Sequence, residues 1–502
     1  MTLCRTCQTF GLWLRLRFGQ HEQMEIASET ERKYDVPEGF VLPPLAGMAG
    51  IRSTAEAKTH DLDATYFDTD ELTLMQNRRT LRRRSGGDDA GWHLKTPASG
   101  GSRTEHRLPL NGAGDKVPAE LRGQVRAIIR RKPLKPVARL RTHRVETPLR
   151  DAEGHTLALV AQDSVIAEAD GRTQRWQEVE VELVDGDTGV LEAVERCLLG
   201  AGATPAAGPS KVARALNGRL PRNPQATPKK TKKAKSPVFA YAQDQRDALT
   251  EYDPGVRQGD GESVHKMRVA TRRLRSSLKT FKRSFPGFEE VGDELKWLAD
   301  LLGQVRDGQV QRGKLLAAVE QAGPDFADAA GRIREHLDYQ VREGQAALGK
   351  ALESERYLKL LDRVDRLAAL PGNGEPDALG RARKSLRKAD RLLDTAFADG
   401  VDAELHDARK AYKKARYAVE VFAPGAGNGG KALVNALTDL QDVLGAHQDS
   451  VVARELLHEL GPDSFWFGVL WARQEQVGKQ TYAELPVVVE ASRKKKLRRW
   501  LG

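Results

Sequence analysis

The stretch Glu29-Thr30-Glu31-Arg32-Lys33 decides how the first half of the chain is interpreted. Successive side chains of a β-strand point to opposite faces, so Glu29, Glu31 and Lys33 share one face that carries only charge. Burying unpaired charge is very costly. Such a face is therefore either exposed to solvent or part of a cavity that holds an ionic ligand.

The same alternation of charged and apolar residues recurs in the candidate strands that follow, which indicates a common design. Together with turn-forming segments such as 85–89, it predicts a domain of about eight antiparallel strands, an architecture that often closes into a barrel. In a closed barrel the charged residues line the interior, and apolar residues face outward against covering helices or a partner. The alternative is an open sheet with one solvated charged face. The candidate lining residues are Lys33, Arg82, Arg84, Lys95, Arg103, Arg139 and Arg141, with Glu29, Glu31, Glu105, Asp163, Glu178, Glu180 and Glu182.

The residue types of this set predict the kind of ligand. Planar arginine side chains are suited to phosphate oxygens, so the basic residues indicate a polyanion with phosphate groups. Clustered carboxylates are typical ligands of hard divalent cations such as Mg²⁺ or Mn²⁺, which also bridge phosphates. The combination predicts a metal-assisted phosphate site.

The distribution of charge argues against nucleic acid as the partner. The chain has 502 residues and a formal net charge of +11, with 81 basic and 70 acidic residues. Residues 219–236 hold seven of the basic residues and residues 491–502 hold six, with no acid in either segment. The remaining 68 basic residues are matched by the 70 acidic ones, so the folded part is close to neutral.

A chain of 502 residues is long enough to predict two or three domains.

The three cysteines, Cys4, Cys7 and Cys197, are too few for a disulfide framework, which predicts a reducing, cytoplasmic location. No apolar run is long enough to predict a transmembrane helix. Residues 1–23 lack the long apolar region and cleavage site of a signal peptide. We expect them to be a disordered leader, or an over-extended start with Met24 as the initiator.

Residues 25 to about 218 resemble the CYTH domain family, the triphosphate tunnel metalloenzymes. The resemblance rests on an ordered series of motifs: Glu-x-Glu-x-Lys at 29–33, Tyr66-Phe67-Asp68-Thr69, Leu-Arg-x-Arg at 81–84, Leu94-Lys95, Asp163, Glu-x-Glu-x-Glu at 178–182 and Ser210-Lys211. It implies an eight-stranded antiparallel tunnel over residues 24–218 that binds triphosphates with a divalent metal.

The resemblance also implies roles for individual residues. The implied metal ligands are Glu29, Glu31, Asp163, Glu178, Glu180 and Glu182, and the implied catalytic residues are Glu29, Glu31 and Lys33. The implied phosphate ligands are Lys33, Arg82, Arg84, Lys95, Arg103, Arg139 or Arg141, and Lys211. Arg144, on the opposite face of the same strand, fits the pattern loosely and stays an alternative.

Residues 219–236 are basic, rich in proline and poor in apolar residues, which predicts a linker. From residue 237 to 502 the pattern is helical and contains an internal repeat. Residues 264–275 match residues 405–416 at an offset of 141, and residues 302–307 match 444–449 at an offset of 142. The repeat predicts two similar antiparallel helical bundles, related by a pseudo-twofold axis.

Each copy of the repeat carries one basic stripe at helical spacing, headed by a histidine. A single stripe of this kind is usually a solvated helix face. Its duplication favours an anion-binding groove, although the histidines could also serve helix packing. The stripes are His265, Arg268, Arg272 and Arg275 in the first copy, and His406, Arg409, Lys413 and Arg416 in the second.

Residues 237–502 resemble the CHAD domain family, which is often fused behind CYTH. This resemblance rests on both repeat motifs and implies an all-helical, pseudo-symmetric domain that binds inorganic polyphosphate. Together the two resemblances predict a metal-dependent hydrolase of inorganic triphosphate or short polyphosphate, active in the cytoplasm and associated with polyphosphate granules. The rival predictions are a thiamine triphosphatase, an adenylate cyclase, and a scaffold that binds polyphosphate without turnover.

Overall fold

The computed structural model describes residues 14–18, 21–97, 103–110, 116–208, 210–216, 236–370, 377–399 and 401–502, and the single positions 114, 219 and 372. The chain divides into two compact units, Met1–Lys229 and Lys230–Gly502. Most of the predicted linker, residues 219–236, lies outside the described residues.

The first unit contains an antiparallel sheet and four short helices. Its strands are β1 (Leu14–Phe18), β2 (His21–Glu29), β3 (Glu31–Val36), β4 (Ser53–Thr54), β5 (Lys58–Asp68), β6 (Thr80–Ser85), β7 (Gly91–Pro97), β8 (Arg103–Leu108), β9 (Lys135–Arg150), β10 (Thr156–Ala169), β11 (Arg172–Leu183) and β12 (Thr204–Pro205). Its helices are α1 (Thr73–Gln76), α2 (Ala119–Ile129), α3 (Thr188–Gly200) and α4 (Lys211–Ala215).

The sheet has the hydrogen-bonded order β1-β2-β8-β7-β6-β5-β9-β10-β11-β3-β12, with β4 beside β9. This order is not a closed ring, and it contains more strands than the eight predicted. The excess consists of the short strands β1, β4 and β12, and of a break at Thr30 that separates β2 from β3. Strand β2 pairs with β8 near one end of the sheet, and β3 pairs with β11 near the other end. The continuous stretch 21–36 therefore forms strands near both ends of the sheet.

The predicted disordered leader, residues 1–23, needs a partial correction. Residues 14–18 form β1, which pairs with β2, and residues 21–23 belong to β2. Leucine, arginine and phenylalanine alternate from Leu14 to Phe18, which is the two-residue period of a strand. Residues 1–13 lie outside the described residues.

Helices α2 and α3 cover two apolar patches on the outer face of the sheet, as predicted. The segregation is incomplete, because Arg139 and Arg141 form ion pairs on the outer face, and Val165 and Trp176 pack with Val212 of α4 on the inner face. Val190 and Val194 of α3 pack with the buried valines Val179 and Val181 of β11. Leu121 and Val125 of α2 pack in a second buried cluster with Trp92 and Leu94 of β7, among other residues. The charged residues of β11 must therefore project to the opposite, inner face.

The second unit is helical. Its helices are α5 (Pro237–Arg257), α6 (Gly261–Thr280), α7 (Glu289–Ala322), α8 (Ala327–Glu353), α9 (Glu355–Ala368), α10 (Ala378–Asp399), α11 (Asp402–Glu420), α12 (Gly427–Leu460), α13 (Phe465–Arg493) and α14 (Lys495–Arg498). Single turns of 3₁₀ helix occur at Lys282–Ser284, Pro324–Phe326, Ala423–Ala426 and Arg499–Leu501.

The predicted internal repeat is visible in the lengths and order of the helices. The first repeat motif lies in α6 and in α11, which have 20 and 19 residues. The second repeat motif lies in α7 and in α12, which have 34 residues each. Consecutive helices pack together from α5 to α8 and again from α10 to α13, and α6 also contacts α11. The apolar side of α6 is buried: Val264, Met267 and Leu274 have no exposed surface.

Candidate functional site

One polar cavity lies against the inner face of the sheet. Strands from both ends of the hydrogen-bonded order contribute to it, so the sheet must wrap around the cavity. Its lining is Glu31, Lys33, Tyr66, Thr80, Arg82, Arg84, Asp89, His93, Lys95, Arg103, Arg107, Arg144, Glu180, Glu182, Ser210 and Lys211. Most of the predicted phosphate ligands are thus brought together in one place.

Three acidic residues form a cluster that could hold a metal ion, and one of them, Glu180, lines this cavity. Oxygen atoms of Asp163, Glu178 and Glu180 lie within 4.8 Å of one another. Asp163 and Glu178 are direct neighbours across the β10–β11 ladder, and the two-residue period of β11 places Glu180 on the same face. Carboxylate oxygens are the ligands that Mg²⁺ and Mn²⁺ prefer.

Lys211 of α4 reaches into the centre of this acid cluster. Its Nζ lies 2.9 Å from Asp163 Oδ2, 2.6 Å from Glu178 Oε1 and 2.7 Å from Glu180 Oε1. Burial disfavours the charged ammonium, but the three carboxylates outweigh burial and raise the pKa of Lys211. The side chain of Ser210 caps α4 by accepting a hydrogen bond from the backbone N–H of Ala213, which fixes where the helix begins.

The structure corrects the prediction for β9, because Arg144 and not Arg139 or Arg141 enters the cavity. The side chain of Arg144 is 17% exposed, whereas those of Arg139 and Arg141 are 55% and 53% exposed. Arg139 pairs with Asp63 and Arg141 with Glu168 on the outer face. Arg144 stands opposite Asp163 in the ladder and therefore faces inward with it.

The remaining predicted bases lie around a buried acid, Glu105. Arg82 and Lys95 each approach Glu105 Oε1 to 3.8 Å, and Arg82 also donates a hydrogen bond to the Tyr66 hydroxyl. Arg84 pairs with Asp89, and burial together with the charges of Arg82 and Arg144 lowers the pKa of Arg84 to about 8. Burial is the larger cause of this shift, and the neighbouring arginines add to it.

Glu31 and Lys33 of the opening stretch project into the same cavity. Lys33 pairs with Glu31 at 2.9 Å and also with Glu180. Glu31 stands directly opposite Glu182 in the β3–β11 ladder. Burial raises the pKa of Glu182, and Glu31, Glu105 and Glu180 raise it further, although Lys95 acts in the opposite direction. The side chain of Glu29 lies outside the described residues.

The lining also contains His93, Arg107 and Asp89, which the sequence analysis did not predict as site residues. His93 Nδ1 lies 3.0 Å from Glu105 Oε1, and its Nε2 lies 2.9 Å from the Asp89 carbonyl oxygen. Burial lowers the pKa of His93 to about 3. Its position two residues before Lys95 puts it on the same face, and that spacing is the pattern that could have identified it.

Apolar side chains fill the inner face next to the acid cluster. Val165 and Trp176 lie two residues from Asp163 and Glu178, and they pack with Leu140 and with Val212 of α4. These side chains form an apolar cluster beside the acids.

A second cavity, in the helical unit, lies where the two repeats meet. It is lined by Arg268, Arg272, Asp307, Val310, Gln311, Lys314, Leu315, His406, Arg409, Lys413, Ala446, Gln448, Asp449, Ser450, Val452, Ala453, Gln474 and Val477. The basic stripes of α6 and α11 both contribute to it. Its acids are the repeat-related pair Asp307 and Asp449.

Five of the eight predicted stripe residues line this central cavity: Arg268, Arg272, His406, Arg409 and Lys413. The structure does not place the other three, His265, Arg275 and Arg416, in the lining. His265 is exposed, and Arg416 donates hydrogen bonds to Glu420 and Gln441. Lys314, which pairs with Asp449 at 2.6 Å, is a lining base that the stripes did not reveal.

Electrostatic repulsion accumulates in the central cavity. Burial, followed by the charges of Arg272, Arg409 and Arg268, lowers the pKa of Lys413 to about 7, and Asp449 compensates only in part. Burial also lowers the pKa of Arg409, and Arg272 and Arg268 add to the shift. Four basic side chains from two repeats therefore share a space that lacks enough negative charge, which favours a polyanionic ligand.

None of the helices in the described part of the chain is both long enough and apolar enough to cross a membrane.

Comparison with known proteins gives the same two domains. A model of the CYTH domain matches residues 27–215, and a model of the CHAD domain matches residues 240–458. The uncharacterized protein Rv2226 of Mycobacterium tuberculosis is 38% identical to this chain over 501 residues. The match covers 91% of this chain and 94% of Rv2226.

Solved structures with similar folds are more distant. PptA from Streptomyces chartreusis is 19% identical, with 51% of this chain and all of that chain covered and a TM-score of 0.44. The CHAD domain of the plant Ricinus communis is 27% identical, with 53% and 91% covered and a TM-score of 0.38. The putative adenylyl cyclase HpAC1 from Hippeastrum, described as having a dominant triphosphatase activity, is 19% identical, with 38% and 97% covered and a TM-score of 0.26.

The motif series, the helical repeat and the full-length relative agree, and the chain belongs to the family of proteins in which a CYTH domain is followed by a CHAD domain.

Proposed function

We propose that the first domain hydrolyses inorganic triphosphate or short polyphosphate with Mg²⁺ or Mn²⁺, and that the helical domain binds polyphosphate. The observation that carries the proposal is the polar cavity, which is lined by basic side chains and in which Lys33, Arg144 and Lys211 contact a three-carboxylate cluster. Basic side chains alone would indicate anion binding. Their combination with clustered carboxylates is the arrangement expected for phosphoryl transfer assisted by a divalent cation.

The residues present fit such a cation. Asp163, Glu178 and Glu180 would hold it, because each offers a carboxylate oxygen and the three groups converge. When bound, the ion supplies positive charge that polarises a phosphoryl oxygen and neutralises charge in the transition state. Glu29, Glu31 and Glu182, the other acids implied by the family, remain candidates for a further role with the ion.

The side chains of the cavity would bind, orient and shield the phosphates. Arg82, Arg84 and Lys95 offer donors on one wall, and Arg144 and Lys211 offer donors beside the acids. Ser210 lines the cavity, but its hydroxyl oxygen already accepts the capping hydrogen bond of α4. We therefore propose that water held by the carboxylates attacks the terminal phosphorus directly, without a covalent intermediate. A new P–O bond forms while the bond from that phosphorus to the bridging oxygen breaks, the shortened phosphate chain leaves, and a carboxylate accepts the proton of the water.

The central cavity of the helical domain supports polyphosphate binding. Arg268, Arg272, Arg409 and Lys413 come from both repeats and face a common space, as a linear polyanion requires. Burial lowers the pKa values of Arg409 and Lys413, and the neighbouring arginines Arg268 and Arg272 lower them further. Binding of a polyphosphate would remove that repulsion. Docking to polyphosphate granules without turnover is the alternative if the first domain proves inactive.

The experiment that tests the proposal is a phosphate-release panel on the full chain. The substrates are tripolyphosphate, ATP, thiamine triphosphate and long-chain polyphosphate, each with Mg²⁺, with Mn²⁺ and with excess chelator. We expect turnover of tripolyphosphate that requires the metal. Most of the side chains that line the cavity are charged, so organic triphosphates, which carry a nucleobase or a thiazole ring, should be poorer substrates.

If ATP or thiamine triphosphate is turned over faster than tripolyphosphate, the substrate is an organic triphosphate and not inorganic triphosphate. Absence of phosphate release from all four compounds, in a protein that still binds long polyphosphate, would leave the scaffold function. The Glu180→Gln variant is the matched control for contaminating phosphatases, because it removes one charge from the acid cluster with little change in shape.

A further inference from the structure

The acid cluster is paired with the protein's own side chains, three of which are basic. Arg144 donates to both oxygens of Asp163, at 2.8 and 2.7 Å, and to Glu180 Oε2 at 2.6 Å. Lys33 pairs with Glu180 Oε1. Trp176 donates from Nε1 to Glu178 Oε2 at 2.6 Å. Lys211 completes the set, with one contact to each of the three carboxylates.

Lys211 differs from the other partners because it sits at the centre of the cluster. Its three contacts of 2.6 to 2.9 Å place one ammonium group among all three acids. A divalent cation held by the same three carboxylates would need the same space. Keeping both would put two cations within a few ångströms in a buried site, where unscreened repulsion is large. The metal and the Lys211 ammonium therefore compete for one position.

We propose that Lys211 is an internal counter-ion of the acid cluster, which keeps the divalent metal out until a polyphosphate arrives and accepts the ammonium in place of the carboxylates. The inference rests on the proposed function and deepens it, since it assigns an order to the binding of the metal and the substrate. Metal and polyphosphate then bind cooperatively, and by thermodynamic linkage each raises the affinity of the other by the same factor.

The local structure allows Lys211 to exchange partners. It is the first residue of α4, which has only five residues, directly after the Ser210 cap. Its four-carbon stem can move the ammonium by several ångströms without moving the backbone. Arg82, Arg144 and Lys33 line the same cavity, so a phosphate chain held by them lies within reach of Lys211. When the Lys211 ammonium leaves the carboxylates, it loses three favourable contacts. This cost is offset because the metal neutralises the carboxylates in its place.

The test measures Mn²⁺ affinity of the full chain without any phosphate, by titration calorimetry and by the paramagnetic resonance signal of free Mn²⁺. We expect Lys211→Met and Lys211→Gln to bind Mn²⁺ at least tenfold more tightly than the parent. Lys211→Arg, which keeps the charge, should remain weak. In chelator, affinity for tripolyphosphate should fall about tenfold in Lys211→Met, because the ammonium no longer contacts the phosphates.

Two controls separate direct competition from a general charge effect. Arg84→Met removes another buried cavity charge, one that pairs with Asp89 rather than with the acid cluster. Lys135→Met removes an exposed lysine that pairs with Asp70. Both should change Mn²⁺ affinity by less than threefold. The two neutral Lys211 variants differ in polarity, and their melting curves identify the one that keeps the fold.

Unchanged or weaker Mn²⁺ binding in a folded, neutral Lys211 variant would overturn the inference. So would a tightening in Arg84→Met as large as that in Lys211→Met. The proposed function has its own readout in the phosphate-release panel. A protein that releases no phosphate from any substrate, yet binds Mn²⁺ more tightly without Lys211, would refute the hydrolase and support the counter-ion.

Discussion

Arg144 donates two hydrogen bonds to Asp163, from Nε to Oδ1 at 2.8 Å and from Nη2 to Oδ2 at 2.7 Å. The two residues stand opposite each other on neighbouring strands, β9 and β10. This bidentate pair links the basic side chains of the cavity to the acid cluster. It also distinguishes Arg144 from the two arginines of β9 that lie on the outer face.

The first prediction compares arginines of the same strand. Arg144→Met should lower kcat/KM for tripolyphosphate by about 10- to 100-fold, because a hydrogen bond to a charged group contributes on the order of 1.5–3 kcal/mol. Arg141→Met is the matched control, since its side chain pairs with Glu168 in solvent. It should stay within about twofold of the parent. Similar losses in both variants would contradict the assignment of Arg144 to the site.

The second prediction concerns Glu31, which faces Glu182 across the ladder and pairs with Lys33. We expect Glu31→Gln to abolish metal-dependent phosphate release while the fold is kept. Loss of the Lys33 pair and relief of repulsion from Glu182 offset each other, so the free energy of unfolding should change by less than about 1 kcal/mol. The measurement combines initial rates with a denaturant titration. Near-normal turnover in the folded variant would refute a catalytic role for Glu31.

The third prediction separates the central cavity from the rest of the basic stripes. Replacing Arg272 and Lys413 together with methionine should weaken binding of long-chain polyphosphate more than tenfold and reduce its salt dependence. The control replaces Arg275 and Arg416, which are outside the cavity lining. Fluorescence anisotropy of labelled polyphosphate at several salt concentrations gives both quantities. Equal losses in the two double variants would mean that the stripes bind as a diffuse surface.

The fourth prediction is a pH dependence of polyphosphate binding. Burial and the charges of Arg272, Arg409 and Arg268 lower the pKa of Lys413 to about 7, so the side chain is mostly charged at pH 6 and mostly neutral at pH 8. Only the charged form attracts phosphate. Affinity should therefore fall by up to about tenfold as pH rises through this range, since a protonation must precede binding at the higher pH.

The comparison in this pH experiment is between the parent and Lys413→Met. Long-chain polyphosphate is used because its internal phosphates stay ionised throughout the range. The variant keeps His406 and the nearby acids Asp307 and Asp449, so the difference between the two profiles reports Lys413 alone. Parallel profiles for the two proteins would show that Lys413 does not titrate in this range.

The sequence by itself determined the faces of the strands and the repeat of the helices. Side chains of a strand alternate with a period of two, so Glu178, Glu180 and Glu182 had to share a face whichever strand paired with β11. Apolar residues of the same strand then had to meet a covering helix, which is α3. The repeat was visible because residues 264–275 and 405–416 serve the same packing positions in α6 and α11.

Only the tertiary structure decided which of several equivalent bases reach a site. Strand β9 carries arginines on both faces, and its register against Asp163 selects Arg144, since partners across a ladder share a face. In the helical domain, the packing of α6 against α11 and the pairing of Arg416 with Glu420 decide which stripe residues face the cavity. Residue type and spacing determine which face of a strand or helix a side chain takes. Which side chains meet in one cavity depends on contacts between segments far apart in the chain.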